Sequence, residues 1–163
     1  MIVNPAVGRS SVVKVIASYS VKGGVGKTSA AVNIAWLAAR SGRRTLLWDL
    51  DPQAASTYLL RTKAKVKGGS RKLLQGKSEV SSAIRATTDE RLDVLPASSS
   101  YADTDLDLAA AKKSEERVGK ALEEVSDDYD VAILDCPPGL TLLSTNIVRA
   151  ADLLLTPSVP SSL

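Results

Sequence analysis

Val21-Lys22-Gly23-Gly24-Val25-Gly26-Lys27-Thr28 decides how this chain folds. An apolar, β-branched run from Val12 to Tyr19 precedes it and an Ala-rich stretch follows. The octapeptide therefore sits where a strand turns into a helix. Glycines at such a turn let successive backbone N–H groups face inward around phosphate oxygens. The helix that follows adds the positive end of its dipole to the same spot. Lys27 can reach β- and γ-phosphates, and the Thr28 hydroxyl is placed to ligate Mg²⁺. The cradle as a whole is Lys22, Gly23, Gly24, Val25, Gly26, Lys27, Thr28 and Ser29. The strict pattern G-x-x-x-x-G-K-[ST] is not met, because Val21 holds the first glycine position. A second lysine, Lys22, followed by a glycine pair, stands there instead.

Outward from this loop, strands alternate with helices, which predicts an α/β fold with a mostly parallel sheet flanked by helices on both faces. Val12–Tyr19 reads as the first strand, and Thr28–Arg40 as a helix apolar nearly all round, capped by Gly42. Thr45–Leu50 is a second buried strand ending in acids, and Ser56–Leu60 a short helix before a basic loop containing Gly68-Gly69. Ser78 reads as the N-cap of a helix over Glu79–Ala86. Leu92–Leu95 is a third strand, stopped by Pro96, and Ala97 to Asp107 is polar and loop-like. One or two charged helices are expected over Leu108–Val125. A fourth strand, Val131–Asp135, is broken by Pro137-Pro138-Gly139. Leu142–Ala150 is a helix and Asp152–Leu155 a fifth strand. A parallel strand ordinarily leads into a further helix, and the last one does not, which points to an incomplete chain.

At 163 residues the sequence is expected to form one domain over residues 1–163. The single cysteine, Cys136, excludes an internal disulfide and fits a reducing cytosol. No secretory signal pattern opens the chain, and no apolar run reaches the ~18 residues of a membrane span. With no histidine, acid–base chemistry falls to carboxylates. The net charge of +3 is unevenly placed. Arg61, Lys63, Lys65, Lys67, Arg71 and Lys72 form a run without an acid, and without these six the rest of the chain is acidic. Such a run is either a patch for an anionic polymer or a solvated loop.

Three further features belong at the carboxyl ends of the strands, where open α/β sheets bind ligands. Asp49 and Asp51 close the second strand in Asp49-Leu50-Asp51-Pro52-Gln53, and Asp135 closes the fourth. A strand-end aspartate is how a carboxylate is held rigidly beside a phosphate loop, and Asp135 suits a metal-bound water better than the ion itself. Pro137-Pro138-Gly139 then supplies a turn able to move with the nucleotide.

With these pieces in place the chain resembles the ParA/MinD family of deviant Walker A ATPases, P-loop proteins of partition and positioning. Lys22–Thr28 (K-G-G-x-G-K-[ST]), Asp49–Gln53 (D-x-D-P-Q) and Ile133–Gly139 carry the resemblance, with Ala150-Ala151-Asp152 and Pro157-Ser158-Val159-Pro160 behind them. Asp51-Pro52-Gln53 and the double proline resemble the ParA branch. The resemblance implies ATP or ADP with Mg²⁺ as cofactors and slow ATP hydrolysis to ADP and phosphate. It implies Lys27 as the phosphate lysine and Lys22 as the signature lysine reaching across a two-fold interface to the partner subunit's nucleotide. Asp51 would orient or deprotonate the attacking water, so Lys22, Lys27 and Asp51 form the catalytic set and Thr28, Asp51 and Asp135 the metal side. The role of Asp49 stays open.

The implied biology is an ATP-bound homodimer in plasmid or chromosome partition, or in positioning a protein cargo. Its partners would be non-specific DNA and an adaptor protein that stimulates hydrolysis, and its place the cytoplasm or the nucleoid. A C-terminal membrane helix of the MinD kind is not expected. The family's chains continue beyond Leu163, into more sheet and much of the adenine pocket. Ala54-Ala55 departs from the family's usual Gly-Asn. Two other functions compete: a metabolic ATP-dependent enzyme on the same scaffold, such as an amide ligase or a reductase component, and a catalytically dead binding module.

Overall fold

The computed structural model describes residues 2–3, 13–63, 69–97, 104–109 and 114–160. Five strands run parallel: β2 (Lys14–Ser18), β3 (Thr45–Asp49), β5 (Leu92–Leu95), β6 (Val131–Asp135) and β7 (Leu153–Leu155). Two-residue antiparallel strands, β1 (Ile2–Val3) and β4 (Arg85–Ala86), close the edges, giving the order β1-β7-β2-β6-β3-β5-β4. All five parallel strands were expected from sequence; the two edges were not.

The central strands are apolar on both faces because helices cover both. Residue alternation sorts them. Val15, Ala17, Leu46, Trp48, Ala132 and Leu134 face one core, which takes in residues of α3 (Gly69–Leu74), α4 (Thr104–Ala109), α5 (Arg117–Glu123) and α6 (Leu142–Ala150). Leu47, Val94 and Ile133 face the other, packed on α1 (Lys27–Arg40). That helix buries a stripe of Ala31, Ala35 and Ala39, one residue per turn, whose small side chains bring it close to the sheet. The expectation of a helix apolar nearly all round needs refinement: Trp36 and Leu37 are 47% and 58% exposed on its outer side. Gly42 has a φ of 92° just beyond the helix, the left-handed turn expected of a C-terminal cap.

The helix predicted over Glu79–Ala86 does not form. A three-residue 3-10 turn, Ser81–Ala83, leads instead into β4, which pairs with β5 through Arg85–Val94 and Ala86–Asp93. Adjacent serines compete for the backbone, and burial of Val80 and Ala83 fixes the turn. Ser78 caps nothing: its buried hydroxyl has no hydrogen-bond partner among the described residues. The polar stretch expected as a loop from Ala97 to Asp107 ends in α4. The basic run is split: Arg61 and Lys63 are exposed, Arg71 and Lys72 lie on α3, and Lys65 and Lys67 fall outside the described residues. Among the described residues no helix is long and apolar enough to cross a membrane.

Candidate functional site

Parallel register brings the ends of three strands into line. Ser18 of β2 pairs with Asp135 of β6, which pairs in turn with Asp49 of β3, so both buried acids sit beside the exit of the first strand. The chain leaves β2 through Tyr19 and enters the glycine loop. Gly26 precedes α1 with a φ of 93°, and Gly24 has 72°; side chains rarely adopt these values, so glycine is required at this turn. Nothing lies within 4 Å of where a Cβ would stand on Gly23, Gly24 or Gly26, so the cradle opens into space. The Ser18 hydroxyl donates to the Lys27 carbonyl at 2.9 Å and fixes the first turn of α1 to the strand. Lys27 itself is only 7% exposed, and its Nζ donates to the Lys22 carbonyl at 3.2 Å. The ammonium is thus curled back over its own loop.

Gly23, Gly24, Gly26, Lys27, Thr28 and Ser29 line a cleft of about 340 Å³ together with Asp51 and Pro138. Lys22, which is exposed, and Val25 lie outside that lining, and Asp135 is buried. Asp51 is presented by a tight turn: Gln53 N–H donates to its Oδ1 at 2.9 Å and Ala54 N–H to its carbonyl. Ala54 then takes a left-handed φ of 57°, a conformation that favours glycine. The helix that follows, α2 (Ala55–Leu59), grips both strand-end acids. Thr57 donates to Asp49 Oδ2 from its amide and its hydroxyl, at 2.8 and 2.7 Å, and Ser56 Oγ donates to Asp135 Oδ2 at 2.5 Å. Asp49 Oδ1 accepts from Asp51 N–H at 3.2 Å. Asp49 is therefore an anchor beneath Asp51, away from the cleft.

Burial pushes the Asp49 carboxyl up to about 6, against the pull of its Thr57 hydrogen bonds. Burial also raises Asp135, opposed by Ser56, by the approach of Thr28 and by the charge of Lys27. Asp135 Oδ1 is buried and accepts no hydrogen bond of good geometry among the described residues. An orphaned carboxylate oxygen, an open glycine cradle and a buried lysine fit a magnesium-bound nucleotide. Cys136, directly after Asp135, is fully buried, and burial drives its thiol well up, so it remains protonated.

The turn after Cys136 is tied to the glycine loop. Gly139 N–H donates to the Val21 carbonyl at 3.2 Å, and the Tyr19 hydroxyl donates to the Gly139 carbonyl at 3.0 Å. Sequence reasoning placed the Pro137-Pro138-Gly139 turn at the site and missed Ser18, Tyr19, Ser56 and Thr57. Each acts through register or a loop crossing, and a lone Ser, Thr or Tyr carries no periodic signal.

The profile of the AAA domain family (AAA_31) matches residues 13–163. The sporulation initiation inhibitor protein Soj of Bacillus subtilis is 41% identical over 145 residues, covering 88% of this chain and 57% of that protein. The chromosome partitioning protein ParA of Myxococcus xanthus is 35% identical over 151 residues, covering 92% of this chain and 53% of its own. Among solved structures, cobyrinic acid a,c-diamide synthase from Mycobacterium smegmatis, with bound ATP analog and magnesium, superimposes with a TM-score of 0.84. It is 34% identical, and the match covers 90% of this chain and 58% of that one. This chain thus spans little more than half the length of the relatives it matches. The chain belongs to the AAA domain family, and within it to the ParA/MinD ATPases with a deviant Walker A loop.

Proposed function

We propose that this single domain is an ATP-binding, slowly hydrolysing dimerisation switch of the partition type. One observation carries the reading: one cleft joins the glycine loop, Lys27 and Thr28 to Asp51, three residues that also act on the buried carboxyl of Asp135. The loop amides from Gly23 to Ser29 bind the phosphate oxygens, and Lys27 swings from the Lys22 carbonyl onto the β- and γ-phosphates. Thr28, Asp51 and Asp135 would hold magnesium beside the phosphates. Magnesium, when bound, neutralises charge on the phosphates. Asp51 orients the attacking water and takes its proton, and its carboxylate is pre-set for this by Gln53 N–H. Lys22, exposed at the mouth of the loop, reaches a second subunit's nucleotide and stabilises charge on the departing phosphoryl group. The closed dimer holds duplex DNA or a cargo adaptor until hydrolysis opens it. A second reading, an ATP-dependent amide ligase, has the likeness to the synthase in its favour.

Calorimetry with Mg·ATP and Mg·ADP, paired with sedimentation, tests the proposal. The protein should bind both nucleotides and dimerise with ATP alone, with no amide acceptor present. Lys22→Ala should keep nucleotide binding and lose the ATP dimer. Absence of binding in the folded protein overturns the site, and an intact ATP dimer in Lys22→Ala overturns the role of that lysine.

A further inference from the structure

We infer that Ser56 is a positioning residue for Asp135, fixing the carboxylate so that Oδ1 is presented to the metal side of the nucleotide. The inference rests on the reading of the cleft as a magnesium–nucleotide site and adds a residue that no motif contains.

Ser56 is fully buried on the first turn of α2, and its hydroxyl crosses to Asp135 Oδ2 at 2.5 Å, 79 residues along the chain. The terminal torsion of an aspartate is broad and nearly two-fold. A donor on one oxygen therefore selects the plane of the group and the identity of the oxygen left over. That leftover oxygen, Oδ1, is buried without a partner among the described residues, while Thr28 approaches the same carboxylate. Burying a carboxylate oxygen with no donor is unfavourable, and a metal-bound water supplies two.

Ser56 is itself held from both sides. Ahead of it, the Asp51 turn is closed by Gln53 N–H and Ala54 N–H, and Ala54 enters the helix in the left-handed region. Behind it, Thr57 locks onto Asp49, and its hydroxyl also accepts from Ala97 N–H at 2.9 Å. One short helix thus sets the spacing between Asp51, Asp49 and Asp135. Alanine forms helix better than serine, and a buried hydroxyl needs a partner to be tolerated. The only hydrogen bond this hydroxyl makes among the described residues is the one to Asp135.

The test reads magnesium, not turnover. A fluorescent ADP analogue is titrated into wild type, Ser56→Ala and Ser56→Thr, first in EDTA and then across a magnesium series. Urea unfolding of each variant checks that it is folded. Ser56→Ala should raise the half-saturating magnesium concentration ~10-fold and leave affinity in EDTA within about twofold, the range expected of a residue behind a metal ligand. Ser56→Thr, which keeps the hydroxyl, should restore the wild-type value. In an Asp135→Asn background, Ser56→Ala should have no further effect on magnesium; this arm decides the matter if threonine does not fit. Equal magnesium dependence in wild type and Ser56→Ala, or an equal effect with and without Asp135, overturns the role of Ser56. Failure of wild type to bind the analogue overturns the nucleotide site itself.

Discussion

Removing the charge of Asp49 should flatten the pH dependence of stability. The side chain is fully buried, and its carboxyl rises from an ordinary 3.8 to about 6. Burial is the main cause, and the neighbouring Asp135 adds to it. Between those two values the folded protein keeps a proton that the unfolded chain has already released. Stability therefore falls as pH rises through the window, by ~1.4 kcal/mol per unit and about 3 kcal/mol over the whole shift. The contribution is complete below pH 3.8 and gone above about 6. In Asp49→Asn the amide oxygen can accept from Thr57 as Oδ2 does. The amide nitrogen then faces the Asp51 N–H that Oδ1 accepts in the wild type, and two donors oppose each other. That mismatch costs ~1–3 kcal/mol at every pH, so the slope is the readout and the absolute stability is not. Urea unfolding of the nucleotide-free protein from about pH 4 to about pH 7 gives the comparison. The variant should gain on wild type by about 3 kcal/mol as pH rises across this range. Parallel curves would refute the assignment of a raised, proton-holding Asp49.

Two further outcomes are expected. Asn146 is buried in α6; its Oδ1 accepts from Arg117 N–H at 2.8 Å and Val118 N–H at 3.4 Å, and its Nδ2 donates to the Ser114 and Leu142 carbonyls at 2.7 and 3.0 Å. Asn146→Ala strips the start of α5 of these partners and should cost ~3 kcal/mol, read as a fall of ~6–12 °C in Tm; a fall within about 2 °C contradicts it. Replacing Lys63, Lys65 and Lys67 by Glu should weaken non-specific duplex binding and flatten its salt dependence by roughly one unit of slope per lost phosphate contact. Nucleotide affinity should stay unchanged, and unaltered DNA binding would assign the run to solvated surface.

The parallel strands were legible because each is a short apolar run ended by a turn residue or an acid, and both faces of the sheet are covered. The edge strands were not. Ile2–Val3 and Arg85–Ala86 are too short for any period, and they exist because β7 and β5 offer them unpaired edges. The glycine loop could be read from spacing alone, because phosphate binding demands glycine, lysine and threonine at fixed offsets. The distinction between Asp49 and Asp51 could not. Both end the same strand, and only the fold of α2 over Asp49 shows that one is anchored below while the other lines the cleft. Likewise Asn146 reads as an ordinary polar residue in a helix until α5 is seen to start against it.

The hydrogen bonds around the cleft fall into two sets. The acids are pinned by donors that do not themselves touch the cleft: Thr57 on Asp49, Ser56 on Asp135, Gln53 N–H on Asp51. The Pro137-Pro138-Gly139 turn is pinned differently, to the segment that leads into the glycine loop. Its Gly139 is held by the Val21 carbonyl and the Tyr19 hydroxyl, and Val21 is the neighbour of Lys22. Lys27 at present occupies the Lys22 carbonyl, so drawing its ammonium onto a phosphate frees the next carbonyl along from the one that holds Gly139. Two residues beyond Gly139, the Thr141–Ser144 capping box starts α6, and Asn146 carries that helix into contact with α5. A displacement at the loop would therefore have a short covalent and hydrogen-bonded route to the far layer of helices, whereas each of the three acids is held by a donor outside the cleft. On the proposed reading as a switch, this division would give a rigid reacting centre and confine motion to the turn joined to the glycine loop.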